Sequence, residues 1–137
     1  AQSIGRLSFR PWDSARTASW TQGGQAAGTV ALPEGQLARL EVSYEASNDL
    51  SPLASLDPTA LYGLLLIGEH ITNDGLAPVA ALTGLRRLDL FAENADDGAV
   101  AHLAKLTQLE TLVLTDVQLT DAGLRELLVL RGLRDIR

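Results

Sequence analysis

The chain contains no cysteine and no methionine, and its 137 residues include only six aromatics. Without cysteine there is no disulfide scaffold, no thiol nucleophile and no cysteine-bound zinc; the compartment is not decided by that. Long apolar runs are missing as well. A run such as Leu64-Leu65-Leu66-Ile67 is strand-sized, far short of the ~18 residues a membrane span requires, so no membrane insertion is expected. Nor is there an excess of positive charge. Eleven Lys plus Arg stand against seventeen Asp plus Glu, a net charge of −6, and the adjacent pair Arg86-Arg87 has Asp89 close behind. Neutralising phosphates takes a basic face, so no nucleic-acid partner is expected. The opening Ala1-Gln2-Ser3 has no initiator Met, basic segment or apolar leader, which reads as a processed or excised form.

What is abundant is leucine, at 27 residues. With 20% charged residues the chain is not of disordered composition, and its length fits one domain. The leucines are periodic. Leu61, Leu85, Leu109 and Leu133 stand 24 apart; Leu64, Leu88, Leu112 and Ile136 keep the same step, as do Leu66, Leu90 and Leu114. Later in each unit come Leu76, Val100 and Leu124, then Val79, Leu103 and Leu127, then Leu82, Leu106 and Leu130. Six apolar columns in register mark an internal repeat.

Each unit contains two periods. Leu88-Asp89-Leu90 alternates, as a strand with one buried face does, whereas Val100, Leu103 and Leu106 recur every third residue, as on a helix stripe. Thr72, Asp96 and Thr120 sit where they can cap helix N-termini, and Asp97 and Asp121 follow in the first turn, where the helix dipole favours a carboxylate. Gly75, Ala99 and Gly123 form a small-residue column, expected where helix and strand backbones approach closely. Strand, loop, helix and return every 24 residues predict an α/β right-handed solenoid, with parallel strands on a concave wall and helices on a convex one.

Thr120-Asp121-Ala122-Gly123-Leu124, preceded by Leu109-Glu110-Thr111-Leu112-Val113-Leu114, resembles the bacterial leucine-rich-repeat proteins, whose units read LxxLxLxxTxVTDAGLxxLxxLxx. The resemblance covers residues 61–137 well and reaches weakly back to about 37. It implies a binding or assembly scaffold without catalytic residues. The ninth position of the unit departs from that pattern: Glu69, Glu93 and Val117 stand where the family often has Asn, Cys or Thr, so no side-chain ladder can be assumed to satisfy the loop backbone. One step earlier, Leu37, Leu40 and Val42 form a first strand, but Leu50, Leu53 and Leu56 lie 26 residues before their counterparts, with Pro52 early in that helix. The expected array is an atypical unit 37–60, regular units 61–84, 85–108 and 109–132, and the start of another at 133–137.

Residues 1–36 lack the repeat and are expected to form an N-terminal β cap, with strands from Ile4 to Arg10 and Ala27 to Leu32. Trp12 and Trp20 lie between them. They are read either as part of a cover for the open end of the leucine core or as a binding platform.

Enzymatic motifs are missing: no nucleophile elbow, P-loop or zinc-helix signature occurs. His70 aligns with Asn94 and Gln118, and His102 with Pro78 and Glu126. Columns that vary this freely read as solvated surface, so no catalytic, metal or cofactor role is expected. The acids Glu69, Glu93, Asp96, Asp97 and Asp116 read as a solvated rim rather than a Ca²⁺ site, which would need six to eight converging oxygens.

Between the leucine columns, strand side chains point the other way. They form ladders of Arg39, Gly63, Arg87, Thr111 and Asp135; of Glu41, Leu65, Asp89, Val113 and Arg137; and of Ser43, Ile67, Phe91 and Thr115. The candidate binding residues are Leu65, Ile67, Arg87, Asp89, Phe91, Thr111 and Val113, an apolar patch with an aromatic and an Arg suited to a protein or peptide. Five short strands present only about 400 Å², half of the ~800 Å² a standard interface buries per partner, so loops or further repeats are expected to contribute. The chain stops at Leu133-Arg134-Asp135-Ile136-Arg137 with a strand edge uncovered, which predicts continuation or self-association there. The expected function is non-catalytic protein or peptide binding; the alternative is a structural spacer joining domains or identical chains.

Overall fold

The computed structural model describes residues 3–11, 21–27 and 33–137. Its strands are β1 (Gly5–Pro11), β2 (Thr21–Gln25), β3 (Gln36–Val42), β4 (Gly63–Ile67), β5 (Arg87–Phe91), β6 (Thr111–Thr115) and β7 (Asp135–Ile136). All seven belong to one sheet, ordered β2-β1-β3-β4-β5-β6-β7. From β3 onward neighbours are parallel and pair at the 24-residue step: Leu64 with Leu88, Leu88 with Leu112, Leu112 with Ile136. The step also recurs in the returns, where the Glu110 amide donates to the Arg86 carbonyl and the Arg134 amide to the Glu110 carbonyl.

The expected right-handed solenoid, with a parallel concave wall and a convex wall of α-helices, is overturned. The chain forms a small α/β domain on a single mixed sheet, because β1 runs antiparallel to both β2 and β3. The helical layer differs too. Among the described residues two short α-helices occur, α1 (Asp97–Leu103) and α2 (Asp121–Glu126), while Glu45–Asn48, Ser51–Ser55, Asp74–Ala81 and Leu127–Val129 are 3₁₀ segments. The spacing of three is compatible with this, since side chains at i and i+3 eclipse in a 3₁₀ helix and Leu76, Val79 and Leu82 then face one way. Pro78 lies inside that segment and has no amide to continue an α-helical ladder.

One face of the sheet packs on this layer. Leu64, Leu66, Leu76, Val79, Leu82, Leu85, Leu88, Leu90, Leu106, Leu109 and Leu112 are fully buried in a single core that also takes in Leu7 and Phe9 of β1 and Leu40 of β3. Residues on both sides of the boundary expected at 36/37 thus share one sheet and one core. The column Leu76, Val100, Leu124 breaks at its last member: Leu124 is 46% exposed.

The N-terminal strands differ in part from expectation. β1 lies where a strand was read from Ile4 to Arg10. The second expected strand, Ala27 to Leu32, falls mostly outside the described residues, and β2 forms instead in the Gly-containing stretch before it. Trp12 and Trp20 also lie outside the described residues.

Candidate functional site on the open sheet face

Among the described residues no helical layer covers the other face of β4, β5 and β6. Alternation along the strands turns Leu65 and Ile67, Arg87, Asp89 and Phe91, and Thr111 and Val113 toward it, away from the buried leucines. Pairing sets these seven candidate residues side by side: Arg87 beside Thr111, Asp89 between Leu65 and Val113, and Phe91 beside Ile67. Ile67 is 42% exposed, and Leu65, Phe91, Thr111 and Val113 are half-buried. The structure therefore gathers all seven onto one surface.

At its centre is a feature that alternation did not suggest. Asp89, read as an outward polar rung, is 7% exposed. Its carboxylate accepts two hydrogen bonds from Arg87, from Nε to Oδ2 and from Nη2 to Oδ1, both 2.7 Å. Leu65 and Val113 wall it on either side, and Arg87 lies over it. The Arg87 guanidinium is held charged above its ordinary pKa, first by this hydrogen bonding; partial burial opposes the shift and the charge of Asp89 adds to it. Such a fork fixes both side chains and displays a rigid, oriented guanidinium edge to solvent.

The loops after the strands bring in residues that the repeat columns do not include. The turn Glu45–Asn48 places Tyr44 at the carboxyl end of the sheet, where the buried Ser47 hydroxyl donates to the Tyr44 carbonyl at 2.7 Å. A side chain at Gly68 would come within 2.1 Å of that same hydroxyl, so glycine lets the next loop lie against the turn. An open cleft of about 250 Å³ results, lined by Tyr44, Ile67, Phe91, Glu69, Glu93 and Asp116, together with Gly68 and Ala92. Tyr44 is 48% exposed and its ring meets that of His70 at 6.2 Å. Asp116 holds a positive φ of 60°, alone among the described non-glycine residues. The signal for Tyr44 in the sequence was weak: it stands in the irregular first unit, outside every column.

The five acids expected to form one rim divide in two. Glu69, Glu93 and Asp116 line the cleft. Asp96 and Asp97 belong to a side-chain ladder, which the ninth-position pattern did not supply. Asn73 accepts from the Asp96 amide at 3.0 Å and donates to its carboxylate at 2.7 Å; one unit later Asp97 accepts from the Thr120 amide at 2.8 Å and from the Thr120 hydroxyl. Asn94 and Gln118, read as freely varying surface, donate to the carbonyls of Glu69 and Glu93 in the preceding loop. Asp96 and Thr120 also cap α1 and α2, accepting from the amides of Gly98 and Ala122. Thr72 accepts instead from Gly75, at 3.1 Å. In the small-residue column, Gly123 has a local cause: a Cβ there would stand 2.1 Å from the Asp97 carboxylate, so the residue is small to admit the ladder.

Among the described residues no group of three or more His, Asp or Glu is arranged to hold a metal ion, and no helix is long and apolar enough to cross a membrane. Compared with protein-family models, curated proteins and solved structures, the sequence matches none of them.

Proposed function

We propose that this chain is a non-catalytic binding module that takes a protein or peptide on the open face of its sheet. The observation that carries the reading is the gathering of Leu65, Ile67, Phe91 and Val113, all at least partly exposed, around the Arg87–Asp89 fork. An aromatic and aliphatic patch beside an immobilised arginine is the composition of an interface centre. The sequence resemblance to leucine-rich-repeat proteins points toward binding as well, although the architecture it implies is not the one found. Peptides selected on the chain from a displayed random library should bind Phe91→Ala at least tenfold more weakly, with an unchanged melting temperature. Equal binding to the parent, Phe91→Ala and Val113→Arg would defeat the assignment.

A second reading has its own observation. Leu124, Leu128, Val129 and Ile136 are all exposed in the last helical segments and strand, which suits an assembly element that joins chains end to end. Light scattering over a hundredfold concentration range separates the two. Association abolished by Leu128→Lys plus Val129→Lys, with no peptide bound at any concentration, favours assembly.

A further inference from the structure

We propose that the cleft at the carboxyl ends of β4 and β5 receives the cationic side chain of a Lys or Arg in a peptide partner. The inference rests on the reading of the open face as a peptide-binding surface, and it names what that surface recognises at one end. Three features converge. The lining includes Tyr44, Ile67 and Phe91, so an entering chain meets apolar and aromatic surface, and a ring face attracts a cation. The rim holds three carboxylates, Glu69, Glu93 and Asp116. Among the described residues no Lys or Arg pairs with Glu93 or Asp116, and the neighbour of Glu69 is His70, 3.5 Å away and half-exposed. The field of this rim is felt inside the cleft: the Tyr44 phenol is raised above its ordinary pKa, first by hydrogen bonding to Glu69, then by slight burial and the charges of Glu69 and Glu93.

The chemistry selects an organic cation over a metal ion. A hard cation such as Ca²⁺ requires six to eight oxygens converging on one point, whereas among the described residues no three acids are arranged to hold a metal ion. An alkylammonium or guanidinium side chain matches both parts, its methylenes against Ile67 and Phe91 and its charge toward the acids. The cleft continues directly from Ile67 and Phe91 of the open face, so one peptide can occupy both.

Two measurements test this. In the first, backbone amide shifts of the intact chain are followed by NMR as acetyl-lysine methylamide and acetyl-arginine methylamide are added, with the norleucine analogue as neutral control. Saturable shifts at Tyr44, Gly68, Phe91 and Asp116 are expected for the two cations and not for norleucine. They should weaken about tenfold in Glu93→Gln plus Asp116→Asn, which preserves shape and keeps at residue 116 a side chain that tolerates positive φ. No saturable shift, or an equal response to norleucine, overturns the proposal; so does a tighter response to Ca²⁺ at the same amides. In the second, library-selected peptides are remade with Lys and Arg replaced by norleucine. If binding needs Val113 but ignores both this replacement and the double variant, the cleft inference falls and the open-face reading stands. If no peptide can be selected, both fall.

Discussion

The two faces of the sheet follow one 24-residue step and put it to opposite use. On the packed face the step repeats a residue: Leu64, Leu88 and Leu112 pair in register and are fully buried. On the open face, at the very next position, it gives Leu65, Asp89 and Val113, three different chemistries in one row. A side chain that must pack on a copy of itself and on a helical layer has little freedom, and leucine meets the demand each time. A side chain facing solvent has no such constraint. Along the strands, changes of chemistry at the repeat step therefore fall on the face where a partner could be told from another.

The sharpest way to break this contrast is to delete the same volume on each face. Leu88→Ala removes a side chain enclosed between two neighbouring units and should cost about 2–5 kcal/mol. Leu65→Ala on the same sheet should cost well under about 1.5 kcal/mol, because half-exposed surface was never fully removed from water. Urea unfolding of both variants checks the pair, and equal costs would mean that the open face is packed after all.

The next effect concerns the one open-face rung that behaves as core. Arg87→Ala leaves the Asp89 carboxylate enclosed by Leu65 and Val113 without its two donors, and should cost about 2 kcal/mol. Arg87→Ala combined with Asp89→Leu should recover most of that, since an aliphatic residue there extends the row of Leu65 and Val113. A double variant as unstable as the single one would show that the fork does more than satisfy a buried charge.

These two cases also mark what the sequence discloses. The strand register was legible in Leu64, Leu88 and Leu112, because burial on one face forbids a slip, and the caps at Asp96 and Thr120 were legible from residue type and place. The 3₁₀ character of Asp74–Ala81 was not, since a spacing of three suits either helix until Pro78 and the neighbouring unit decide. The mixed sheet was hidden in β1 and β2, which precede the repeat and share none of its columns. The seven open-face residues could be placed by alternation alone. The burial of Asp89 could not, because it depends on where Arg87 folds, and the Tyr44 cleft depends on a turn unique to the irregular first unit. The ladder was missed because its rungs join positions 23 apart, such as Asn73 to Asp96, one residue out of step with the repeat.

That ladder supplies a smaller test of how units are joined at the edge between the faces. Gly123→Ala sets a methyl against the Asp97 carboxylate and displaces it from Thr120, for a cost of about 1 kcal/mol. The cost should shrink when Asp97 is already Ala, because the clash and the bond it breaks are one interaction; a double-mutant cycle by urea unfolding reads the coupling. Additive costs would place the strain elsewhere, in the turn of α2 itself.

The smallest expected effect is electrostatic and falls on the same rung. Asp97 is held below the usual carboxylate range, first by its side-chain hydrogen bond with Thr120 and then by the Thr120 amide, with slight burial opposing. A carboxyl group whose folded pKa lies below its unfolded value stabilises the fold at pH above the unfolded value, and that stabilisation is lost as pH falls through the folded one. Melting temperature should therefore hold steady down to about pH 4 and decline below it. Asp97→Asn keeps the shape without the titration, so its decline should be shallower. Some slope should persist, because Asp49 and Asp57 are depressed by their own bonds to Ser51 and Thr59. Since none of the three carboxylates is buried, the slope should flatten further in high salt. A parent and an Asp97→Asn variant with superimposable acid profiles would show that the rung orders the loop between units without stabilising it, and would leave the leucine face alone holding them together.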